Sequence, residues 1–147
     1  MATFARHVDV EWTGTLMEGA GTAKAGTGAF SVPVTFPSRI SEKGDSKTTP
    51  EELLAAAHAV CYTMVLTNTI VKQGGSASKV RVTATVTADK GDAGIKVVSS
   101  HLDAKVEGLQ GIEGGKLQEL AVGAEKGCPI SNAIRGTVSI SVSASAL

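Results

Sequence analysis

The sequence predicts an α+β fold, in which antiparallel strands are grouped around helices rather than alternating with them along the chain. Three patterns predict this class: glycine-punctuated strands over residues 4–36, an almost wholly apolar helix over residues 50–72, and a strand pair over residues 79–106. A second helix over residues 112–127 and a closing strand over residues 137–143 complete the order.

The length and composition of the chain limit its possible domain organisation and function. The 147 residues suit a single domain, which we expect to span residues 1–147. Fourteen basic and fourteen acidic residues cancel, and no basic run is present, so nucleic acid is not an expected partner. With only five aromatic residues, the core must consist mainly of aliphatic side chains.

Localisation is expected to be cytoplasmic. The first residues contain no apolar signal core, and we expect no stretch to approach the roughly 20 apolar residues that a membrane helix needs. No membrane partner is therefore predicted.

The N-terminal region predicts a strand meander or hairpin. Val8, Val10 and Trp12 alternate with polar residues, and several glycines interrupt the segment over residues 14–28. Residues 36–47 are polar and rich in turn-forming residues, so we expect an exposed loop there.

The start of the long helix is the strongest local signal. Thr49 can cap the helix, Pro50 suits its first position, and Glu52 stands three residues after the cap, as a capping box requires. The helix should end at Gly74-Gly75. Because it is apolar on most sides, it should be buried on most sides, which favours an obligate homodimer.

The C-terminal half predicts a hairpin, a helix, a turn and a strand. Strands over 79–88 and 95–106 should pair, with a bulge near Ser99-Ser100 where the apolar parity changes. Pro129 should keep Cys128 extended ahead of a turn or short helix. The apolar residues predicted to face inward from the second helix and the last strand are Leu117, Leu120, Ala121, Ala124, Val138, Ile140 and Val142.

The two cysteines, Cys61 and Cys128, are either buried small hydrophobic residues or a working redox pair. Cys61 lies roughly 16 Å along its helix, too far from the N-terminus for the helix dipole to ionise it. Burial alone would raise its pKa and leave it inert, so a reactive Cys61 needs a nearby cation.

Arg39 is the arginine in the polar loop ahead of the helix, and it suits thiolate stabilisation. Glu51 could hold its guanidinium by a bidentate pair. Glu51 and Cys61 would stand about 15 Å apart on a continuous helix. Either the helix start is irregular, or Arg39 and Glu51 reach the Cys61 of a second subunit, which we favour.

His58 precedes Cys61 by three residues and could be a base, a ligand or, as we favour, a packed and hydrogen-bonded core residue. His7 and His101 are expected at the surface. A zinc site needs closely spaced ligands, and the available set of Cys61, His58 and Cys128 lacks them. Neither a metal nor another cofactor is therefore predicted. A general thiol–disulfide oxidoreductase is disfavoured because no Cys-x-x-Cys is present.

Several segments resemble the family of osmotically inducible protein C and the organic hydroperoxide resistance proteins. They are Lys43-Gly44, Thr49-Pro50-Glu51-Glu52-Leu53, Ala56-Ala57-His58-Ala59-Val60-Cys61 and Gly127-Cys128-Pro129-Ile130-Ser131-Asn132-Ala133. The position of Arg39, close before the helix, is similar to the osmotically inducible branch. Val60 and Tyr62 stand where relatives often have Ala and Phe.

The resemblance implies an intertwined homodimer, with antiparallel sheets wrapped around two long central helices and active sites at the subunit interface. It also implies that Cys61 is the peroxidatic thiol, Cys128 the resolving thiol, and Arg39 with Glu51 the activating pair. The expected function is reduction of organic hydroperoxides, and of hydrogen peroxide less well, with an external dithiol as reductant. The alternative is a non-enzymatic dimeric stress protein that binds an apolar ligand.

Overall fold

A computed structural model describes all residues, 1–147. The chain divides into two compact units, Met1–Leu53 and Leu54–Leu147, which are described separately. The single domain over residues 1–147 stays a prediction.

The N-terminal unit contains a three-stranded antiparallel meander, as predicted. Its strands are β1 (Val8–Thr13), β2 (Ala20–Ala25) and β3 (Ser31–Val34), in the order β1-β2-β3. Ala23 and Ala25 of β2 are buried. The apolar side chains of β1 remain exposed, so the alternation in β1 marks an apolar face that this unit alone does not cover.

The segment over residues 36–47 is not wholly the exposed loop that we expected. It begins with a short helix, α1 (Phe36–Arg39), whose N-terminus is capped by the Thr35 side chain. Pro37 fits this first turn because a proline N–H would have no helical partner there. Ser38 is buried, so part of the segment is packed rather than solvated.

Helix α2 (Pro50–Lys72) has the predicted bounds. The backbone N–H of Glu52 donates to Thr49 Oγ1 over 3.1 Å, which is the predicted cap. The Glu52 carboxylate accepts a bond from the Thr48 hydroxyl. At the other end Gly74 adopts φ 81°, the left-handed conformation that favours glycine after a helix.

Burial of α2 on most sides was expected and is not found in the isolated chain. The fully buried side chains form one stripe at four-residue spacing, namely His58, Tyr62, Leu66 and Ile70. Val60, Met64 and Val71 are 56%, 68% and 61% exposed. One chain therefore covers a single face of the helix.

The expectation that no segment approaches membrane-spanning length was wrong. Helix α2, with 23 residues, is long and apolar enough to cross a membrane by length and composition. The core helix of a soluble protein passes the same test, and the buried stripe of α2 belongs to a protein core.

The C-terminal unit contains a second three-stranded sheet, β4 (Lys79–Gly91), β5 (Gly94–Glu107) and β6 (Ser139–Ala146), with β5 in the centre. Strands β4 and β5 form the predicted antiparallel hairpin. The expectation of purely antiparallel sheets was wrong, because β6 pairs with β5 in parallel. The long helical connection between β5 and β6 permits this pairing, which a tight turn would not.

The predicted bulge in β5 is present. Thr87 pairs with Ser99, whereas Ala88 pairs with Val97, so Val98 is the extra residue. After the bulge, every second residue of β5 faces the interior and has no solvent exposure, namely Ser100, Leu102, Ala104 and Val106. The bulge thus turns Ser100 into the interior.

The predicted second helix is shorter than residues 112–127. A 3-10 turn (Gly114–Lys116) leads into α3 (Leu117–Glu125), and α4 (Pro129–Ile134) follows as the expected short helix. Leu117, Ala121 and Ala124 face the core as predicted, and Leu120 packs against it. This core joins α2, β5 and α3 and includes Cys128.

Candidate active site

The structure brings Cys61 and Cys128 together across the 66 residues that separate them. The two side chains are neighbours, close enough for Cys128 to affect the ionisation of Cys61, with Cys61 half-buried and Cys128 fully buried. Both are free thiols. Two neighbouring thiols at the edge of a core are candidates for thiol–disulfide chemistry, provided that one of them can be reached and ionised.

Cys128 is held by the turn that its own sequence encodes. It is the N-cap residue of α4, with φ −83° and ψ 115°, because Pro129 disfavours the helical conformation for the residue before it. The backbone N–H of Ser131 donates to Cys128 Sγ over 3.5 Å. This bond fixes the direction of the thiol.

The pKa of Cys61 is raised within the chain. Burial is the largest cause, and the neighbouring Cys128 raises it further through a hydrogen bond and charge repulsion. The backbone N–H of Ile130 opposes them, because it donates to the Cys61 sulfur. Contacts within the C-terminal unit thus leave Cys61 as a thiol rather than as a nucleophilic thiolate.

Arg39 and Glu51 form a second pair, inside the N-terminal unit. Arg39 Nη2 donates to Glu51 Oε1 over 2.8 Å, and Arg39 Nε lies 3.2 and 3.3 Å from the two carboxylate oxygens. Burial is the largest single influence on the pKa of Glu51 and pushes it upward, but hydrogen bonds from Arg39, from the Glu51 backbone and from Thr49, together with the Arg39 charge, lower the pKa overall. The fork-shaped contact fixes the orientation of the guanidinium.

The segment that carries Arg39 is braced by residues that the sequence reasoning missed. The buried Ser38 hydroxyl donates to Asp45 Oδ2 over 2.7 Å and lies 2.6 Å from the hydroxyl of Thr35. Hydrogen bonding to Ser38 is the main cause of the lowered pKa of Asp45. The signal available in the sequence was Thr35-Phe36-Pro37, a cap followed by proline, which is typical of a helix start.

His58 is the buried, hydrogen-bonded residue that we favoured. Its Nδ1 lies 2.7 Å from Ser100 Oγ on β5, and its Nε2 lies 2.7 Å from Ser131 Oγ on α4. Burial lowers the pKa of His58, although the negative Glu125 opposes this effect. Both ring nitrogens are engaged by serines, so His58 has no free nitrogen with which to deprotonate Cys61.

Glu125 was not singled out from the sequence. It is 6% exposed and pairs with Arg135, whose Nη2 donates to Glu125 Oε1 over 2.8 Å. Nearby, the Tyr62 hydroxyl donates to the Ala121 carbonyl over 2.7 Å, and burial raises the pKa of Tyr62. These contacts attach α2, α3 and the segment after α4 to one another.

The four predicted site residues thus form two pairs: Arg39 and Glu51 are joined by hydrogen bonds, and Cys61 and Cys128 are neighbours. A groove of about 850 Å³ lies between α2 and α3, and Met64, Val65 and Leu120 contribute to its apolar lining. Cys61 is not among the residues that line it. No three His, Cys, Asp or Glu side chains converge as metal ligands.

A free thiol pair placed between a core helix and a Cys-Pro turn defines a candidate redox protein, and comparison with known proteins specifies the family. The OsmC-like protein family matches residues 43–143, and the chain belongs to that family.

Relatives come from both branches of the family. The chain is 30% identical to "Peroxiredoxin OsmC" of Escherichia coli over 94% of this chain and 95% of that protein. It is 28% identical to "Organic hydroperoxide resistance protein OhrB" of Bacillus subtilis, over 82% and 86%. A solved organic hydroperoxide resistance protein from Elizabethkingia anophelis superposes with a TM-score of 0.76 at 25% identity, covering all of both chains.

Proposed function

We propose that this protein is a thiol-dependent peroxidase of organic hydroperoxides, with Cys61 as the peroxidatic and Cys128 as the resolving thiol. The observation that carries the proposal is that a half-buried Cys61 and a buried Cys128, separated by 66 residues in the sequence, are neighbours in the structure. The relatives, which are named as a peroxiredoxin and as organic hydroperoxide resistance proteins, support the same class of reaction.

The proposed reaction has three steps. The Cys61 thiolate attacks one peroxide oxygen, the O–O bond breaks, and the other oxygen leaves as an alcohol after taking a proton. Cys128 then attacks the sulfur of the Cys61 sulfenic acid, so that the S–O bond breaks, a disulfide forms and water leaves. An external dithiol exchanges with this disulfide and restores both thiols.

Activation of Cys61 requires a cation, because burial and Cys128 raise its pKa. The Arg39 guanidinium, already oriented by Glu51, is the proposed source. Helix α2 is regular from Pro50 onward, so its rise places about 15 Å of helix between Glu51 and Cys61. We therefore assign Arg39 and Glu51 to the Cys61 of a second copy of the chain.

A homodimer is proposed on the same grounds as this shared site. Helix α2 leaves Val60, Met64 and Val71 exposed, and β1 leaves Val8 and Val10 exposed. Apolar residues at such positions in separate elements are typical of a surface that a partner covers. A second copy of the chain would bury the remaining sides of α2 and bring two long helices to the centre.

The proposed substrate preference follows from the surroundings of Cys61. Cys61 packs against the aliphatic core, as Val65 and Ile130 also do. An alkyl chain gains about 0.8 kcal/mol for each methylene that it buries, and hydrogen peroxide gains none of this. Organic hydroperoxides should therefore react faster than hydrogen peroxide. We also propose that the reaction takes place in the cytoplasm.

The second candidate function is a dimeric stress protein that binds an apolar ligand without catalysis. The raised pKa of Cys61 favours it, because a buried thiol without a cation is inert. The groove between α2 and α3 offers an apolar lining for such a ligand.

Turnover with cumene hydroperoxide and a dithiol reductant separates the two functions. Replacing Cys61 by serine should abolish turnover, and Cys128→Ser should accumulate a sulfenic acid on Cys61 that dimedone traps. Hydrogen peroxide should be consumed more slowly by the parent protein. Absence of turnover in the parent, or unchanged turnover in Cys61→Ser, would support the ligand-binding protein instead.

A further inference from the structure

His58 is a fully buried polar residue that the proposed reaction does not use. Its imidazole is held at both ends, by Ser100 Oγ at Nδ1 and by Ser131 Oγ at Nε2, each over 2.7 Å. Both serines are also fully buried. Three polar side chains placed in an aliphatic core need a structural reason, because each must be desolvated on folding.

The hydrogen bonds of His58 join the three elements that surround the thiol pair. Ser100 is the first inward residue after the bulge in the central strand β5, and His58 stands one helical turn before Cys61 on α2. Ser131 lies in the first turn of α4, three residues after Cys128. The strand thus supports the ring of His58, and the ring supports the turn that carries Cys128.

The last link runs from Ser131 to the thiol itself. The side chain of Ser131 is bonded to His58, and its backbone N–H donates to Cys128 Sγ over 3.5 Å. In the same turn the backbone of Ile130 lies near enough to Cys61 to lower its pKa. His58 is therefore tied to the turn that carries Cys128 and lies beside Cys61.

We propose that His58 is a positioning residue that holds Cys128 in line for disulfide closure with Cys61. This inference rests on the proposed function. In the closing step a Cys128 sulfur must approach the Cys61 sulfur opposite the departing oxygen, and the proton of Cys128 leaves with that oxygen as water. A reaction of this kind is sensitive to small displacements of the attacking atom.

Two substitutions of His58 distinguish positioning of Cys128 from general packing. The amide of His58→Gln reaches the place of Nε2 and can still bond Ser131, whereas the amide of His58→Asn reaches the place of Nδ1 and can bond Ser100 alone. Ser131→Ala removes the same link from the other side. Ser143→Ala is the control, since Ser143 Oγ bonds Asp103 elsewhere in the sheet.

The experiment is a rapid-quench reaction of the reduced protein with one equivalent of cumene hydroperoxide. Dimedone labelling follows the sulfenic acid, and intact mass follows the disulfide. Closure should be about tenfold slower in His58→Asn and Ser131→Ala, the equivalent of one buried hydrogen bond, with a much smaller change in sulfenic acid formation. His58→Gln should largely restore closure, and Ser143→Ala should match the parent.

Two results would overturn the inference while leaving the proposed function intact. One is normal closure in both His58→Asn and Ser131→Ala, and the other is an equal defect in His58→Gln and His58→Asn. If His58→Asn does not fold by circular dichroism, Ser131→Ala decides the question. If the parent forms no sulfenic acid, the proposed function fails and the inference fails with it.

Discussion

At the scale of residues, the pKa of Cys61 is raised and the pKa of Glu51 is lowered, for opposite reasons. Cys61 is half-buried beside another thiol, whereas Glu51 is half-buried against the Arg39 guanidinium, which lowers its pKa together with backbone and Thr49 hydrogen bonds. A thiol that needs a positive charge and an arginine that is already oriented are complementary. This complementarity is the chemical basis for the shared site that we propose.

Substitution of Arg39 should change the ionisation of Cys61. In the Cys128→Ser protein, in which Cys61 is the only thiol, the pKa of Cys61 measured by the pH dependence of iodoacetamide alkylation should lie below the ordinary value of about 8.5. Arg39→Ala should raise it by about one unit or more. Arg39→Lys should retain only part of the effect, because lysine lacks the planar fork that Glu51 binds.

Glu51→Gln is the matched variant, since it keeps the shape of the side chain and removes its charge. It should lower the alkylation rate less than Arg39→Ala does, because the guanidinium remains but is less well oriented. If the pKa of Cys61 is unchanged by Arg39→Ala, Arg39→Lys and Glu51→Gln, Arg39 has no part in the mechanism.

The sequence predicted the Arg39–Glu51 contact because the chain contains only four arginines and one of them stands in the loop before the helix. The brace formed by Ser38 and Asp45 was not predictable in the same way. Serine and aspartate are ordinary loop residues, and their contact depends on how the chain turns between them.

At the scale of elements, the predictions succeeded where the signal is local. The cap at Thr49 and the glycines after Lys72 fixed both ends of α2 within its own sequence. The bulge in β5 could be predicted because the apolar residues change from odd-numbered to even-numbered positions along the strand. The parallel pairing of β6 was missed because a strand sequence does not encode the direction of its neighbour.

The link from His58 to β5 and α4 predicts an acid-sensitive stability. Burial lowers the pKa of His58 below its ordinary value of 6.5, so below that pH the unfolded chain binds a proton that the folded protein does not. The stability contributed by His58 is therefore fully present above pH 6.5 and is lost as the pH falls toward the lowered pKa. The urea midpoint should decrease between pH 7.5 and pH 5.5.

His58→Gln, which cannot titrate, should show a smaller decrease over the same interval. The carboxyl groups with lowered pKa values, Asp45, Glu51 and Asp103, titrate below this interval and do not contribute to it. An unchanged pH dependence in His58→Gln would show that His58 does not stay neutral in the folded protein.

At the scale of the whole molecule, the exposed face of α2 is the main feature that one chain leaves unexplained. The helix was expected to be buried on most sides, yet Val60, Met64 and Val71 are mostly exposed. The sequence could indicate that the helix needs covering but could not say which surface covers it. A second copy would satisfy both this need and the requirement of Cys61 for a cation.

Met64→Glu should therefore disrupt the assembly. Light scattering after size exclusion should give about twice the 14.9 kDa chain mass for the parent and a lower mass for Met64→Glu. Thr85→Glu, at an exposed position of β4, is the control and should remain dimeric. A parent protein that is monomeric at micromolar concentration would exclude the shared site.

The most direct test of the redox pair uses intact-mass analysis of the parent after one equivalent of cumene hydroperoxide without reductant. We expect loss of two hydrogens per chain, disappearance of both free thiols, and a single cross-linked peptide that joins Cys61 to Cys128. Two thiols that remain free and alkylatable, with the hydroperoxide unconsumed, would contradict it.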